Sequence, residues 1–253
     1  MTSLLLDIGN SRLKWGVLDD GAIRRTGHIS QEAIHDQGLV ALTTRLPRRV
    51  SSVFASNVAG NSFATRLSGV VGMHCDCDVH FARTAKKACG VTNSYAQPRR
   101  LGVDRWAAMI GAWAEVRAAC LIVDAGTAVT IDALDRGGQH LGGQILPGVT
   151  LMAEALASHT SDLPNIRQKT VKQASGMQIF ASNTGGAIAQ GTLNAVVGAI
   201  ERAFRVLLAE GAGATIVLTG GDASRILKSL SEESLHRPHL VLQGLAQLLE
   251  NRQ

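Results

Sequence analysis

Leu4-Leu5-Leu6-Asp7-Ile8-Gly9-Asn10 near the start of the chain returns as Leu121-Ile122-Val123-Asp124-Ala125-Gly126-Thr127. Each copy has three aliphatic residues, an Asp-x-Gly and a small polar residue. The second copy begins 117 residues after the first, which is close to half of the 253-residue chain. Strand-like sequence follows both copies, so each predicts a β-hairpin with a glycine-containing turn. The repeat favours a duplicated fold over coincidence.

The rest of the sequence is typical of a mixed α/β protein. Residues 50–57 predict a buried strand, and residues 73–80 alternate like a half-buried strand. Three helices are predicted, one over residues 104–117, one that begins at residue 150 and one over residues 185–210. A further strand is predicted over residues 214–219. No low-complexity linker separates the two copies. We therefore predict two similar halves, residues 1–117 and 118–253, with a cleft between them.

Composition excludes several classes of protein. Hydrophobic residues make up 45% of the chain and charged residues 18%, which is typical of a globular rather than a disordered chain. No run approaches the roughly 18 apolar residues of a membrane span, and Asp7 interrupts the leucine run before a signal-peptide core forms. Four cysteines are too few for the disulfide framework of a small secreted domain. We expect a cytoplasmic protein with no membrane partner.

The net charge of +5 admits a nucleic acid, a membrane surface or an anionic small molecule as partner. The basic doublets are Arg24-Arg25, Arg48-Arg49, Lys86-Lys87 and Arg99-Arg100. They are scattered and lack the interleaved aromatic residues on which bases stack. We therefore expect no nucleic-acid partner, and the charge favours anionic small molecules.

The glycines form neither of the two common phosphate-binding motifs. There is no Gly-Lys dipeptide for a P-loop, and Gly211-Ala212-Gly213 is followed by Ile216 where a dinucleotide fingerprint needs glycine. The paired hairpins offer another device, because turn N–H groups hold phosphate oxygens and an aspartate can hold a cation. Lys14 would place its positive charge beside the transferred phosphoryl group.

A third glycine turn, Thr219-Gly220-Gly221-Asp222, is suited to lie against an adenosine. Two hairpins and such a turn in this order resemble the superfamily of acetate kinase, sugar kinases, Hsp70 and actin. The fold class that this resemblance implies is α/β, a duplicated actin-like (ribonuclease H-like) ATPase fold.

Further motifs narrow the resemblance to one family. After the hairpin at Asp7–Lys14 come Tyr95-Ala96-Gln97-Pro98, Gly102-Val103-Asp104-Arg105, Asp124-Ala125-Gly126-Thr127, Gly142-Gly143 with Pro147-Gly148, and Asn183-Thr184-Gly185. Their order and rough spacing resemble those of type III pantothenate kinases, the Bvg accessory factor family. The resemblance extends from Asp7 to at least Asp222.

The resemblance implies transfer of the ATP γ-phosphoryl group to the primary hydroxyl of pantothenate, the first step of coenzyme A biosynthesis, with Asp104 as general base. It implies ATP binding by Asp7, Ile8, Gly9, Asn10, Ser11, Arg12, Leu13, Lys14 and Thr127. It implies substrate binding by Tyr95, Gly102, Val103, Asp104, Arg105 and Thr184, the last from the partner subunit of a homodimer. Asp124 would bind a monovalent cation, K⁺ or NH₄⁺, and Mg²⁺ would arrive with ATP.

Other hypotheses stay open on the residues alone. One alternative is another small-molecule kinase of the superfamily, acting on a sugar or an acid. The other is a non-catalytic regulatory factor that binds nucleotide or DNA. Asp104 also suits a helix N-cap, Arg105 a surface ion pair and Tyr95 core packing.

Four residues suggest a metal site at first sight: His74, Cys75, Cys77 and His80. Alternation along a strand would send the two cysteines to one face and the two histidines to the other. No C-x₂-C pair supports a zinc site, so we favour a half-buried strand here.

Overall fold

The computed structural model describes residues 2–164, 166, 179–211 and 213–252. The chain forms two compact units, one comprising Met1–Glu115 with His239–Gln253 and the other Val116–Pro238. The C-terminal segment thus belongs to the first unit, whereas the sequence division assigned it to the second half. None of the helices in these ranges is long and apolar enough to cross a membrane.

The first unit is built on a mixed five-stranded sheet. Its elements up to the second unit are β1 (Ser3–Ile8), β2 (Arg12–Asp19), β3 (Ala22–Ser30), α1 (Gln31–Gln37), α2 (Val40–Thr43), β4 (Ser52–Asn57), α3 (Asn61–Cys75), β5 (Val79–Phe81), β6 (Lys87–Ala88), β7 (Val91–Thr92), a 3-10 helix (Pro98–Arg100) and α4 (Val103–Val116). The strand order is β3-β2-β1-β4-β5. Strand β2 is antiparallel to both β1 and β3, and β4 and β5 are parallel to β1.

The second unit repeats this arrangement. Its elements are β8 (Ala119–Ala125), β9 (Ala128–Leu134), β10 (His140–Pro147), α5 (Val149–His159), α6 (Thr184–Ala209), β11 (Ala214–Thr219), α7 (Ala223–Leu227) and β12 (Ser234–His236); α8 (Leu240–Glu250) then ends the first unit. The sheet order is β10-β9-β8-β11-β12. When the five strands of each sheet are numbered along the chain, both sheets have the order 3-2-1-4-5. The predicted duplicated α/β fold is therefore confirmed.

The first sheet separates apolar from polar side chains. On one face Leu4, Leu6 and Ile8 lie in a core with Phe63 and Leu67 of α3. Asp7 alternates to the opposite face. Strand β1 is therefore buried on both faces, yet it presents a carboxylate to only one of them.

Helix α8 covers the face that carries Asp7. Its Leu242 side chain lies 3.2 Å from the point where a Cβ on Gly16 of β2 would stand. Helices α4 and α8 also approach closely, because a Cβ on Gly244 would collide with the carbonyl of Ala107. This packing explains why the C-terminal helix joins the first unit rather than the second.

Most of the predicted elements are confirmed, but the strand predicted over residues 73–80 is wrong. Helix α3 continues to Cys75, and Asp76 ends it in the left-handed region at φ 56°. Phe63, Leu67, Val71 and Cys75 recur every four residues and face the core. Cys75 therefore completes a helical stripe, and only Val79–Phe81 forms strand.

We expect Gly244→Ala to lower the free energy of unfolding, because the added methyl group has no space between α8 and α4. Overpacking of this kind costs about 1–3 kcal/mol. Gly198→Ala in α6 is the matched control, since a Cβ there meets nothing within 4 Å; the gain in helix propensity is up to about 1 kcal/mol. Urea unfolding checks both variants, and an equal response in the two would contradict the packing of α8 on α4.

Candidate functional site

The first hairpin turn is fixed by backbone and side-chain hydrogen bonds. The Gly9 N–H donates to the Arg12 carbonyl at 3.0 Å, and the Gln31 side-chain amide donates to the Gly9 carbonyl at 2.9 Å. The turn residues Asn10, Ser11 and Arg12 are exposed. Ile8 and Leu13, also predicted to bind ATP, are fully buried, so their side chains belong to the core and leave only backbone for a ligand.

Asp7 is a buried carboxylate at the end of β1. The Ser56 Oγ hydroxyl donates to Asp7 Oδ1 at 2.8 Å. Burial raises the pKa of Asp7, the Lys14 charge and the Ser56 hydrogen bond oppose this, and the negative charge of Asp104 raises the pKa further. The fold thus brings Asp104 close to Asp7 and Lys14, although Asp104 is far from that hairpin in the sequence.

Asp104 stands in the first turn of α4, one residue after the helix begins, rather than at its cap. Its Oδ1 atom accepts the Arg105 backbone N–H at 2.8 Å. A Cβ on Gly102 would lie 2.6 Å from that same oxygen. A side chain at position 102 would therefore displace the Asp104 carboxylate oxygen from its present position.

Arg105 is not a surface residue, because only 7% of it is exposed. Its Nη1 donates to Tyr95 Oη at 3.2 Å, and its guanidinium carbon lies 5.9 Å from the centre of the Tyr95 ring. The two residues predicted to hold the substrate are therefore in contact with each other. The surface ion pair considered for Arg105 is wrong.

Asn93 holds the Tyr95 segment in place and was missed from the sequence. Its side chain is fully buried; Oδ1 accepts the Tyr95 backbone N–H at 2.9 Å, and Nδ2 donates to the carbonyls of Ala85 and Pro98. Lys86 Nζ donates to the Asn93 carbonyl at 2.7 Å. Nothing in a single sequence distinguishes such an asparagine from one in an ordinary turn.

His239 also reaches the first hairpin, from near the C-terminal end of the chain. It precedes α8, and its Nε2 lies 3.3 Å from Thr26 Oγ1. Burial lowers the pKa of His239, and the positive charge of Lys14 lowers it further. The imidazole is therefore a neighbour of Lys14 that no local sequence pattern indicates.

The second hairpin lies beside two glycine turns of its own unit. The Gly126 N–H donates to the Ala128 carbonyl at 3.0 Å, which closes the turn as in the first hairpin. The Gly148 N–H donates to the Thr127 carbonyl at 2.8 Å, and a Cβ on Gly148 would collide with the same loop. Close backbone approach therefore requires glycine at this position.

The turn predicted to meet adenosine is one of these two. Gly220 has φ 96°, and a Cβ there would collide with the Ala125 backbone. The Asp222 N–H donates to the Ala125 carbonyl at 3.0 Å. The ends of β8 and β11 are thus held at a fixed separation.

Asp124 and Asp7 occupy equivalent positions but have different neighbours. In the first sheet Asp7 pairs with Lys14 on β2 and with Ser56 on β4. In the second sheet Asp124 pairs with Thr130 on β9 and with Thr219 on β11. Two hydroxyl residues thus flank the second carboxylate, whereas a lysine and one hydroxyl residue flank the first.

Thr184 lies in the second unit as the exposed first residue of α6. Asn183 caps this helix, accepting the Gly186 N–H at 2.8 Å. Among the residues that the structure describes, no three His, Cys, Asp or Glu side chains group as for a metal ion.

Comparison with known proteins gives a family match over most of the chain. A family model described as type III pantothenate kinase matches residues 3–206. A type III pantothenate kinase of Aromatoleum aromaticum is 40% identical over 247 residues, covering 96% of each chain. One from Nitrosococcus oceani is 35% identical over 254 residues, covering 98% of this chain and 94% of the relative.

Solved structures share the fold at lower identity. A Campylobacter jejuni protein described as a Baf family transcriptional activator has a TM-score of 0.62 at 22% identity, covering 98% of each chain. A ROK family glucokinase of Streptomyces griseus has a TM-score of 0.51 at 13% identity, covering 98% of this chain and 99% of the other. At these identities the likeness concerns the fold alone.

We expect Asp7→Asn to stabilise the protein at neutral pH. Burial raises the pKa of Asp7 above its ordinary 3.8, so the carboxylate costs free energy above the raised pKa and nothing below 3.8. Asparagine keeps an acceptor for Ser56 and carries no charge. The gain in unfolding free energy should therefore grow as pH rises from 3.8 towards neutral pH, until the raised pKa is passed.

Urea unfolding across that pH range checks this expectation. Asp162→Asn is the control, since the exposed Asp162 lies in a surface segment where substitutions change stability by less than about 0.5 kcal/mol. A gain from Asp7→Asn that is the same at every pH would show that the carboxylate charge is not its cause.

Proposed function

This chain belongs to the type III pantothenate kinase family, and on that premise we propose how its residues transfer the γ-phosphoryl group of ATP to pantothenate. The reaction belongs to coenzyme A biosynthesis. Phosphoryl transfer depends mainly on positioning and on stabilising negative charge. The site must therefore align a hydroxyl with the γ-phosphoryl group and supply positive charge around it.

One observation carries the assignment of the reacting centre. Asp104, a base candidate, lies close enough to Asp7 of the phosphate-binding hairpin for its charge to raise the pKa of Asp7. The same hairpin carries Lys14, whose charge acts on Asp7 in the opposite sense. A base, a cation and a glycine turn are thus grouped within one unit, as transfer to a hydroxyl requires.

Asp104 acts as the general base. It accepts the proton of the substrate's primary hydroxyl as the oxygen attacks the γ-phosphorus, and it must lie within hydrogen-bond reach of that oxygen. Its Oδ1 is fixed by the Arg105 N–H and by the space that Gly102 leaves. The second carboxylate oxygen is the one we assign to the hydroxyl.

The hairpin from Asp7 to Lys14 binds the ATP phosphates. Its turn N–H groups suit phosphate oxygens, and Lys14 adds a positive charge beside the transferred group. Mg²⁺ prefers carboxylate and phosphate oxygens and keeps several waters, and the Asp7 carboxylate is of that donor type. When bound, the metal ion neutralises charge on the phosphates.

Arg105 and Tyr95 hold pantothenate, which is an anion. A guanidinium group suits a carboxylate because it donates two parallel hydrogen bonds. The contact between Arg105 and Tyr95 and the buried amide of Asn93 fix the direction of both side chains. Gly102 and Val103 supply backbone in the same segment, and Thr184 of a second subunit completes the pocket.

Asp124 binds a monovalent cation, K⁺ or NH₄⁺, at the second hairpin with Thr127 facing the phosphates. The donor chemistry fits, because Asp124 is flanked by the hydroxyl residues Thr130 and Thr219 where Asp7 has Lys14 and Ser56. Oxygen donors suit hard cations. The ion supplies, at the second hairpin, the positive charge that Lys14 supplies at the first.

The protein acts as a homodimer in the cytoplasm, where ATP is available. The second unit exposes large apolar side chains, among them Leu151, Leu156, Ile179 and Phe180. Large apolar side chains that are exposed favour a protein interface where they form one patch. A dimer formed through this unit brings Thr184 to the substrate of a partner.

ADP release, measured with pantothenate and with a panel of sugars in the presence of K⁺ or NH₄⁺, tests the proposed activity. We expect turnover with pantothenate only. Asp104→Asn should lower that turnover by about 10²- to 10⁴-fold, because the base is lost, while the variant stays folded, with an unfolding temperature no lower than that of the wild-type protein.

Turnover with a sugar but not with pantothenate would favour another small-molecule kinase. Absence of turnover with any acceptor would favour a nucleotide-binding regulatory factor. Wild-type turnover in a folded Asp104→Asn variant would exclude Asp104 as the base.

Co-expression of two inactive chains tests whether Thr184 comes from the partner. A dimer of one Asp104→Asn chain and one Thr184→Ala chain has one site with both Asp104 and Thr184 intact, if each site combines two subunits. Random pairing should restore about one quarter of the wild-type sites. Activity no greater than that of the two variants measured separately would place Thr184 in the site of its own chain.

A further inference from the structure

The turn of the first hairpin is held from outside by Gln31. This residue directly follows β3 and begins α1. Its backbone N–H donates to the Ser11 carbonyl, and its side-chain Nε2 donates to the Gly9 carbonyl, both at 2.9 Å. Gln31 thus binds two carbonyl groups of the same turn, one through its backbone and one through its side chain.

Both hairpins receive the backbone bond. In the second unit the Gly148 N–H donates to the Thr127 carbonyl at 2.8 Å, as the Gln31 N–H donates to the Ser11 carbonyl in the first. In each unit the donor directly follows the third strand of the sheet. The acceptor directly precedes the second strand. Positions 31 and 148 are therefore equivalent in the duplicated fold.

The side-chain bond is present only in the first hairpin. Gly148 has no side chain, and a Cβ at this position would collide with the Gly126 carbonyl. The second unit therefore packs this carbonyl against a glycine, whereas the first unit holds the equivalent Gly9 carbonyl with the Gln31 amide. Because one hairpin forms without such a bond, its presence in the other calls for a reason specific to the first unit.

The side-chain bond sets the direction of the peptide between Gly9 and Asn10. This peptide is trans, so its C=O and N–H groups point in opposite directions. Because the Gly9 carbonyl is directed at Gln31, the Asn10 N–H is directed away from it. Asn10 is exposed, so a ligand can reach this side of the turn.

Glycine makes an external restraint on this peptide effective. Rotation about the Cα–C bond of Gly9 turns the peptide over, and glycine opposes such rotation less than other residues do. A turned peptide would present the Gly9 carbonyl oxygen where the Asn10 N–H now stands. That oxygen would repel a phosphate oxygen, whereas the N–H attracts it.

We propose that Gln31 is a positioning residue that directs the Asn10 N–H at a phosphate group of ATP. The proposal rests on the phosphate-binding role proposed above for the hairpin. Gln31 acts through the peptide that it holds, since its amide donates to the Gly9 carbonyl.

The affinity for ATP with Mg²⁺, measured by isothermal titration calorimetry without pantothenate, tests the proposal. Gln31→Met keeps the length of the side chain and removes its donor. We expect the dissociation constant to rise about 2- to 12-fold, which corresponds to the loss of one hydrogen bond. Gln31→Ala also removes the donor and should give a rise in the same range. In both variants the KM for pantothenate at saturating ATP should stay at the wild-type value.

Ser30→Ala is the matched control, because it weakens the start of α1 and leaves the Gln31 side chain in place. The Ser30 Oγ atom accepts the Ala33 N–H at 3.1 Å, and loss of such a cap destabilises a helix. We expect wild-type affinity for ATP in this variant. Wild-type affinity in Gln31→Met, or an equal loss in Gln31→Met and Ser30→Ala, would overturn the proposal.

The amide signal of Asn10 reports directly on the peptide. In the full chain labelled with ¹⁵N-asparagine, the Asn10→Ser variant identifies this signal by its absence. A hydrogen bond to phosphate moves an amide proton downfield, so saturation with ATP and Mg²⁺ should shift the signal downfield in the wild-type protein and in Ser30→Ala. We expect a smaller shift in Gln31→Met.

The outcomes separate the role of Gln31 from that of the hairpin. A full shift in Gln31→Met would overturn the proposal alone. A wild-type protein that binds ATP without a shift of the Asn10 signal, or that binds no ATP, would overturn the phosphate-binding role of the hairpin and the proposal with it.

Discussion

The rest of the structure depends on one constraint: a carboxylate is held at the buried end of the first strand of a sheet. Asp7 is 8% exposed, and its burial, together with the negative charge of Asp104, raises its pKa despite Lys14 and Ser56. The fold thus retains a charge that it destabilises. Strand register, which sets Lys14 and Ser56 on either side of the carboxylate, makes this possible.

The same constraint governs the elements around the first sheet. Asp104 is brought to Asp7 by a helix that begins after a glycine, and a side chain at that position would displace the Asp104 carboxylate oxygen from where it lies. Helix α8 covers the same face from the end of the chain and brings His239 next to Lys14. Two carboxylates, one ammonium group and one imidazole are thus brought together from three separate segments.

Duplication explains why the second unit has an aspartate that matches Asp7, although the two aspartates have different neighbours. Both sheets keep the strand order and the position of the aspartate. The ammonium and hydroxyl neighbours of Asp7 are replaced by two threonines around Asp124. On our proposals, one copy therefore carries its positive charge covalently and the other recruits it from solution.

The sequence predicted those parts of the molecule that are specified locally. The two hairpins, β4, β11 and the helices α4 to α6 follow from apolar periodicity and turn residues, and all were confirmed. Residues 73–80 failed because eight residues that alternate in polarity also fit the end of a helix whose core stripe runs through Cys75. The packing of α8 in the first unit was not predicted, because periodicity does not show which sheet a helix covers.

Contacts between distant segments were equally beyond the sequence. Asn93 accepts a hydrogen bond from the Tyr95 segment, and His239 lies near Lys14 only because the fold brings distant segments together. Ser56 had a signal that was not used, since it is a hydroxyl residue next to the end of a buried strand. The roles assigned to the site residues stay predictions until a ligand is seen among them.

A structure of the enzyme with pantothenate and a non-hydrolysable ATP analogue tests whether Asp104 is the general base. We expect an Asp104 carboxylate oxygen to lie about 2.6–3.2 Å from the primary hydroxyl of pantothenate, with that hydroxyl directed at the γ-phosphorus. A hydroxyl directed at the γ-phosphorus that contacts another residue, with Asp104 bound only to its own helix, would contradict it.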